Sequence, residues 1–347
     1  MTRVSSLVLL AGYLAIGSTI RAQTADVAEF PMPPGSGCFP AGITTGPDGN
    51  VWFTCAADLA GSSGQDVGRI TPDGVITLFA TPTSRSGPDL IAAGPDGNVW
   101  FTELSVDRIA RITPAGVITE FPIPPATFDL NRPIGITAGP DGAIWFTELI
   151  GNKIGRLIPD GGIVTEFSVP TLGSRPWVIT AGPDGALWFT EARGNNIGRI
   201  TIDGRISEFP IQTANARPGG IITGPDGALW FTETEGNKVG RITTEGIITE
   251  SLIPTPGSGL GSIVAEFDGV LWFTEWIGNR IGRITTDGVI TEFPGPFRES
   301  VGPSLTVGAD GALWFANGQA IGRLAIATDR LTISPIRRSR PVRAVGR

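Results

Sequence analysis

Along residues 143–148 the chain reads Ala-Ile-Trp-Phe-Thr-Glu. A period of two sends Trp145 and Thr147 to one side and Phe146 and Glu148 to the other, as in a β-strand with large groups on both faces. Such a strand must be buried on both sides. Around it lie "PIGITAG", "PDG", "LIGN", "KIGRLI", "PDGG" and "IVTEFSVP". These are further β-rich runs separated by Gly, Pro, Asp and Asn, which supply turns. The pattern predicts a unit of four consecutive strands.

That unit recurs. "GPDGALWFTE" is spelled identically at 182–191 and 224–233, and Trp-Phe returns at Trp52, Trp100, Trp145, Trp188, Trp230, Trp272 and Trp314. The spacings are 48, 45, 43, 42, 42 and 42 residues, the length of a four-stranded propeller blade. One blade cannot hide two apolar faces, but a closed ring can. Residues 23–335 are therefore expected to form an all-β, seven-bladed β-propeller of four-stranded antiparallel blades. The arginine of "IGRI" also recurs seven times, from Arg69 to Arg323, which marks it as scaffold. Arg156 is expected beside Trp145 as a cation–π partner. Two segments compete for the outer strand of blade seven, "VAEFPMP" from Val27 and "RLTISPI" from Arg330. The first is expected to win, tying the chain ends together.

Composition narrows the setting. Residues 1–22 place Arg3 before an apolar stretch and end on Ala22, as a secretory signal peptide does, so the protein is expected to be secreted or periplasmic. No other segment reaches the ~20 apolar residues of a membrane span, and no transmembrane segment is expected. Residues 336–347 carry five arginines and no acid, predicting a basic disordered tail. The whole chain has a net charge of -7, and its body is more acidic still. A nucleic-acid partner is therefore not expected, and the protein is read as a monomer. Cys38 and Cys55 flank the first hairpin and are expected to form a disulfide. Histidine is absent, and the single tyrosine, Tyr13, lies in the leader. Imidazole chemistry is thus excluded, together with Ser-His and Cys-His nucleophiles.

The motifs "GPDGxxWFTE", "GNxIGRI" and "TxDGxITEFP", spread from about Val27 to Ile333, resemble those of the virginiamycin B lyase (streptogramin B lyase) family of seven-bladed propellers. The resemblance implies a carbon–oxygen lyase that opens the ester linkage of a cyclic depsipeptide antibiotic by magnesium-assisted elimination. It also implies histidines at the start of the first strand in two neighbouring blades, a glutamate two residues before one of them, and a glutamate at the end of a second strand. Eleven residues before each Trp this chain has Ala41, Asp89, Ile134, Trp177, Gly219, Gly261 and Pro303. Two residues earlier stand Phe39, Gly87, Arg132, Arg175, Arg217, Gly259 and Val301. Only the second-strand glutamates match: Glu103, Glu148, Glu191, Glu233 and Glu275, with Cys55 and Asn317 in the other two blades.

First strands begin beside the ends of second strands, so these positions are expected to share one mouth of the central channel. Two readings of the five glutamates are open. They pair with Arg132, Arg175 and Arg217; or Glu103, Glu148, Glu191, Glu233 and Glu275 hold magnesium or calcium (Mg or Ca) while the arginines grip an anionic group. Trp177 and Trp276 stand outside the repeat, and suit either stacking on a sugar or apolar ring or packing under a loop. The favoured function is an exported binding protein for a small molecule, glycan or peptide. The alternative is a metal-dependent carbon–oxygen lyase or lactonase using carboxylates, with Glu148, Glu191 and Glu233 as first catalytic candidates and Asp89, Asn131 and Asn215 as outside ones. A structural or partner-binding module is the third reading.

Overall fold

The computed structural model describes residues 24–25, 27–56, 65–125, 130–266, 269–295, 297, 304–325 and 332–333. The leader and the basic tail lie outside these residues. Seven four-stranded antiparallel sheets account for the repeats, each in the order first, second, third, fourth strand. In blade three the strands are Pro133–Ala138, Ile144–Glu148, Lys153–Ile158 and Ile163–Ser168. The first strands of successive blades pack against one another, and the last, Leu305–Val307, packs against Phe39–Thr45 of blade one. The ring is closed, with the first strands innermost.

The N-terminal segment provides the closure. Val27–Pro31 is the outer strand of blade seven, antiparallel to Ala320–Leu324, with Phe30 opposite Ile321. The rival segment does something else: Thr332–Ile333 pairs in parallel with Thr24–Ala25 in a separate two-stranded ladder. Segments from both ends of the described chain therefore meet near the seam, where Thr332–Ile333 also packs against Ile290–Pro294 of blade six. Cys38 and Cys55 form the expected disulfide, with 4.8 Å between their Cα atoms. It links the stretch just after the closing strand to blade one.

All seven Trp-Phe pairs are buried. In blade three, Trp145 lies opposite Arg156 across the ladder, and the guanidinium stands 5.8 Å from the indole centroid. An acid of the preceding turn binds both: Trp145 Nε1 donates to Asp141 Oδ1 at 3.0 Å and Arg156 Nε donates to Oδ2 at 2.6 Å. Burial works against ionising Asp141, but those two donors, the Ala143 N–H and the Arg156 charge together outweigh it and hold the carboxyl below its ordinary value. The same trio recurs as Asp184-Trp188-Arg199 and Asp226-Trp230-Arg241. An outer-strand phenylalanine also stacks on the indole, Phe167 on Trp145 at 5.8 Å. Blade five breaks this rule with Ser251. The glycine of "IGRI" makes room for the other aromatic, since a Cβ on Gly155 would sit 2.0 Å from the Phe146 ring.

Threonine of "WFTE" joins neighbouring blades. The first strands of blades one to six carry a bulge, in blade three between Pro133 and Ile136, which turns one N–H out of the ladder. Thr147 Oγ1 accepts from Gly135 N–H at 2.9 Å and donates to the carbonyl of Trp177 in the next blade at 2.7 Å. Thr190 and Thr232 repeat this with Gly219 and Gly261. A buried hydroxyl is thus satisfied while it fixes the spacing of the inner strands.

Candidate functional site

The bulged inner strands enclose an axial cavity of about 880 Å³. Ala41, Asp89, Ile134, Trp177, Gly219 and Gly261 all face it. The first-strand positions therefore do share one mouth, as their spacing predicts. Pro303 and Val301 lie outside the described residues. Isoleucines and leucines from successive blades make much of the wall, including Ile136, Ile221, Ile263 and Leu305. Apolar walls with a few convergent polar groups are the usual form of a ligand site.

The polar groups come from two sources. Residues before the first strands supply Arg175, Asn215 and Arg217; the loops after the second strands supply Arg193, Thr234, Glu235 and Trp276. Both extra tryptophans, Trp177 and Trp276, reach the cavity and keep over a third of their surface exposed. Arg132 stands at the matching position of blade three but is not on the cavity wall. Asn131 is buried beneath it, its Nδ2 donating to the Pro124 carbonyl at 2.7 Å. Asp89 is the acid of the inner wall, and burial pushes its carboxyl up to about 6.

Glu103, Glu148, Glu191, Glu233 and Glu275 are not brought to the mouth. All five are fully buried within their own blades, and none lines the cavity. The alternation that puts Trp on one face puts Glu on the other, between the blade layers and away from the axis. Burial is the main cause that pushes Glu103, Glu191, Glu233 and Glu275 up to about 7. Burial also drives Glu148 well upward, reinforced by the nearby Glu166 carboxyl and opposed by Lys153. In each of these blades the outer-strand acid is the engaged partner. Glu250 receives Lys238 Nζ at 2.6 Å and the N–H and hydroxyl of Thr213, in the link that joins blade four to blade five, at 3.1 and 2.8 Å. Glu208 and Glu292 bind Thr171 and Thr255 in the same way. These carboxylates fasten the links between blades to the outer strands.

The arginine–glutamate pairing takes a different form from the one the sequence suggests. Arg217 meets Glu235 at 3.1 Å, with both side chains largely exposed, and not Glu233. Glu235 escapes a reading based on the repeat because it sits in the variable loop. The signal was its place two residues beyond Glu233, on the side of the loop where blade six carries Ile277 after Trp276. The metal implied by the resemblance also lacks a donor set: among the described residues no group of three or more Asp, Glu or Cys is placed to hold an ion. The five glutamates occupy five separate sheets, so the residues present do not fit a metal centre at the mouth.

The virginiamycin B lyase family model matches residues 15–128 and 125–327. The chain belongs to the virginiamycin B lyase family. This family member is 42% identical to a solved streptogramin B lyase over 87% of its own length and 98% of the other chain, with a TM-score of 0.80. It is likewise 42% identical to the selenomethionine-substituted virginiamycin B lyase of Staphylococcus aureus, covering 87% of this chain and 100% of that one at a TM-score of 0.79. A catalytically inactive histidine-to-alanine variant of the S. aureus enzyme, solved with quinupristin, matches at 41% identity, the same coverage and a TM-score of 0.79. No curated protein sequence matches the chain significantly.

Proposed function

We infer that this family member is an exported ligand-binding propeller that holds a small molecule with an apolar ring system in the axial cavity, without the lyase chemistry of its relatives. The observation that carries this reading is an intact cavity in a chain that has no histidine. Elimination needs a base held at the reacting C–H, and removing one histidine leaves the S. aureus relative catalytically inactive. Here the corresponding first-strand positions hold Trp177, Gly219, Gly261 and other groups that take up no proton, apart from Asp89. The cavity is meanwhile large enough for a compound of drug size. Trp177 and Trp276 supply flat faces for stacking, and glycines at the neighbouring inner-strand positions leave room beside them. Glycan and peptide ligands fit the wall less well, since apart from Asp89 the charged groups gather on blades four and five and most of the remaining wall is apolar. Export is supported by the leader-like residues 1–22 and by the buried disulfide. Among the described residues no helix is long and apolar enough to cross a membrane.

N-phenyl-1-naphthylamine, a neutral dye that brightens in apolar sites, tests the cavity reading. Saturable binding at one site per chain is expected, weakened at least about tenfold in the double variant Trp177→Ala/Trp276→Ala, the loss typical of removing stacked aromatics. Absence of saturable binding, or no change in the double variant, would refute it.

One observation favours a second reading. Asp89 is an acid on the inner wall with its carboxyl raised to about 6, within the range in which a carboxylate serves as a general base near neutrality. In that reading the protein remains a lyase or lactonase that uses Asp89. Ring opening of quinupristin that is lost in Asp89→Asn would establish it.

A further inference from the structure

Resting on the cavity reading above, we propose that the ligand is an anion, a carboxylate, sulfonate or phosphate ester on an apolar ring body, with its charged group held between Arg175 and Arg193. Both guanidinium-bearing residues line the cavity. Their backbones are adjacent, because Arg193 N–H donates to the Ser174 carbonyl at 2.9 Å and Ala192 N–H donates to that of Arg175 at 3.1 Å. Arg175 immediately precedes the strand Pro176–Ala181 that carries Trp177, and both residues reach the same cavity. The anion grip and the stacking face are therefore side by side.

The charge of this pair is not cancelled within the protein. Among the described residues no carboxylate stands within ion-pair distance of either arginine. The acids of blade four are engaged elsewhere: Asp184 with Arg199, Glu191 with Asn196, and Glu208 with Thr171. Asp89 belongs to blade two, and Glu235 is taken by Arg217. A chain of net charge -7 thus places two uncompensated cations in the axial cavity, where a low-dielectric wall strengthens their pull on an anion.

Arg132, Arg175 and Arg217 hold φ 56°, 54° and 50° at the position where blades two and six put Gly87 and Gly259, each at φ 65°, and of these three arginines only Arg175 and Arg217 reach the cavity.

The test uses two dyes that differ by one charged group: 8-anilinonaphthalene-1-sulfonate and neutral N-phenyl-1-naphthylamine. The wild-type protein is expected to bind the sulfonate at least about tenfold tighter, the size of a charge-assisted contact. This advantage should shrink with added salt and vanish in Arg175→Gln/Arg193→Gln, while affinity for the neutral dye stays within about twofold, which also shows that the variant is folded. Equal binding of the two dyes by wild type overturns the anion inference and leaves the cavity reading standing. Binding of neither overturns both. A sulfonate preference that survives in the double variant overturns the assignment to these two arginines.

Discussion

Replacing Glu233 by Gln isolates one of the buried carboxyls and gives a quantitative check on the packing. Glu233 is fully buried and neither oxygen has a hydrogen-bond partner. The charged groups facing it are Glu250 and Lys238, with Thr213 from the link between blades four and five. Lys238 and Thr213 are bound to Glu250, so Glu250 carries the negative charge and Glu233 is the member that keeps its proton. Burial, then Glu250, raise Glu233 from 4.5 to about 7. Its folded value is therefore above its unfolded one, and between the two the native state holds a proton that the unfolded chain has lost. Wild-type stability must fall as pH rises through that window. At about 1.4 kcal/mol per unit, the full effect has an upper bound of roughly 3.4 kcal/mol, and about 2 kcal/mol is expected once water and side chains relax. Gln has the shape and neutrality of the protonated acid. With an unfolding entropy on the order of 0.6 kcal/mol/K for a chain of this length, Glu233→Gln should raise Tm by about 3 °C at pH 8.5 and leave it within ~1 °C at pH 5. The other four glutamates titrate identically in both proteins and cancel in the difference. Calorimetry at the two pH values checks this. An equal change at both, or a loss at pH 8.5, would show that Glu233 is not held neutral by burial.

Other consequences can be measured on the same protein. Ser251→Phe supplies the ring that stacks on the core Trp in other blades and should stabilise the fold by about 1 to 2 kcal/mol, read as a rise in Tm; a fall would mean that blade five has closed over the gap. Thr147→Val removes the hydroxyl shared by Gly135 and Trp177 and should cost about 1 to 3 kcal/mol, measured by chemical denaturation. Deleting residues 24–34 strips the outer strand from blade seven and should lower Tm by many degrees, whereas an unchanged melt would refute closure by the N-terminal strand. Reducing Cys38–Cys55 should cost about 3 kcal/mol by the loop-entropy argument, with no free thiol detectable in the native protein beforehand.

The ring, its seven blades and the Trp–Arg contact were legible because each is repeated, and a repeated group reports a shared environment. Asp141 and its equivalents were legible only as turn residues. Their second task, accepting from both indole and guanidinium, depends on how the hairpin folds back and leaves no mark in strand alternation. Thr147 was read correctly as the face-mate of Trp145, but its tie to the next blade depends on a bulge that a strict two-residue period does not contain. The glutamates were placed at the mouth because the second strand ends there; alternation, followed one residue further, turns Glu148 into the interior between sheets. The cavity wall was visible where it is written in first-strand positions such as Trp177 and Gly219. Arg193 and Glu235 were hidden, since loops after the second strand vary from blade to blade and offer no repeat to align.

The proposed function holds that the cavity has outlived the chemistry of its relatives, and one measurement bears on this most directly. Purified protein incubated with quinupristin and magnesium for many hours, then followed by mass spectrometry and chromatography, should return the cyclic compound intact. Accumulation of the ring-opened isomer in proportion to enzyme concentration would contradict it, and would mean that a histidine-free propeller performs the elimination.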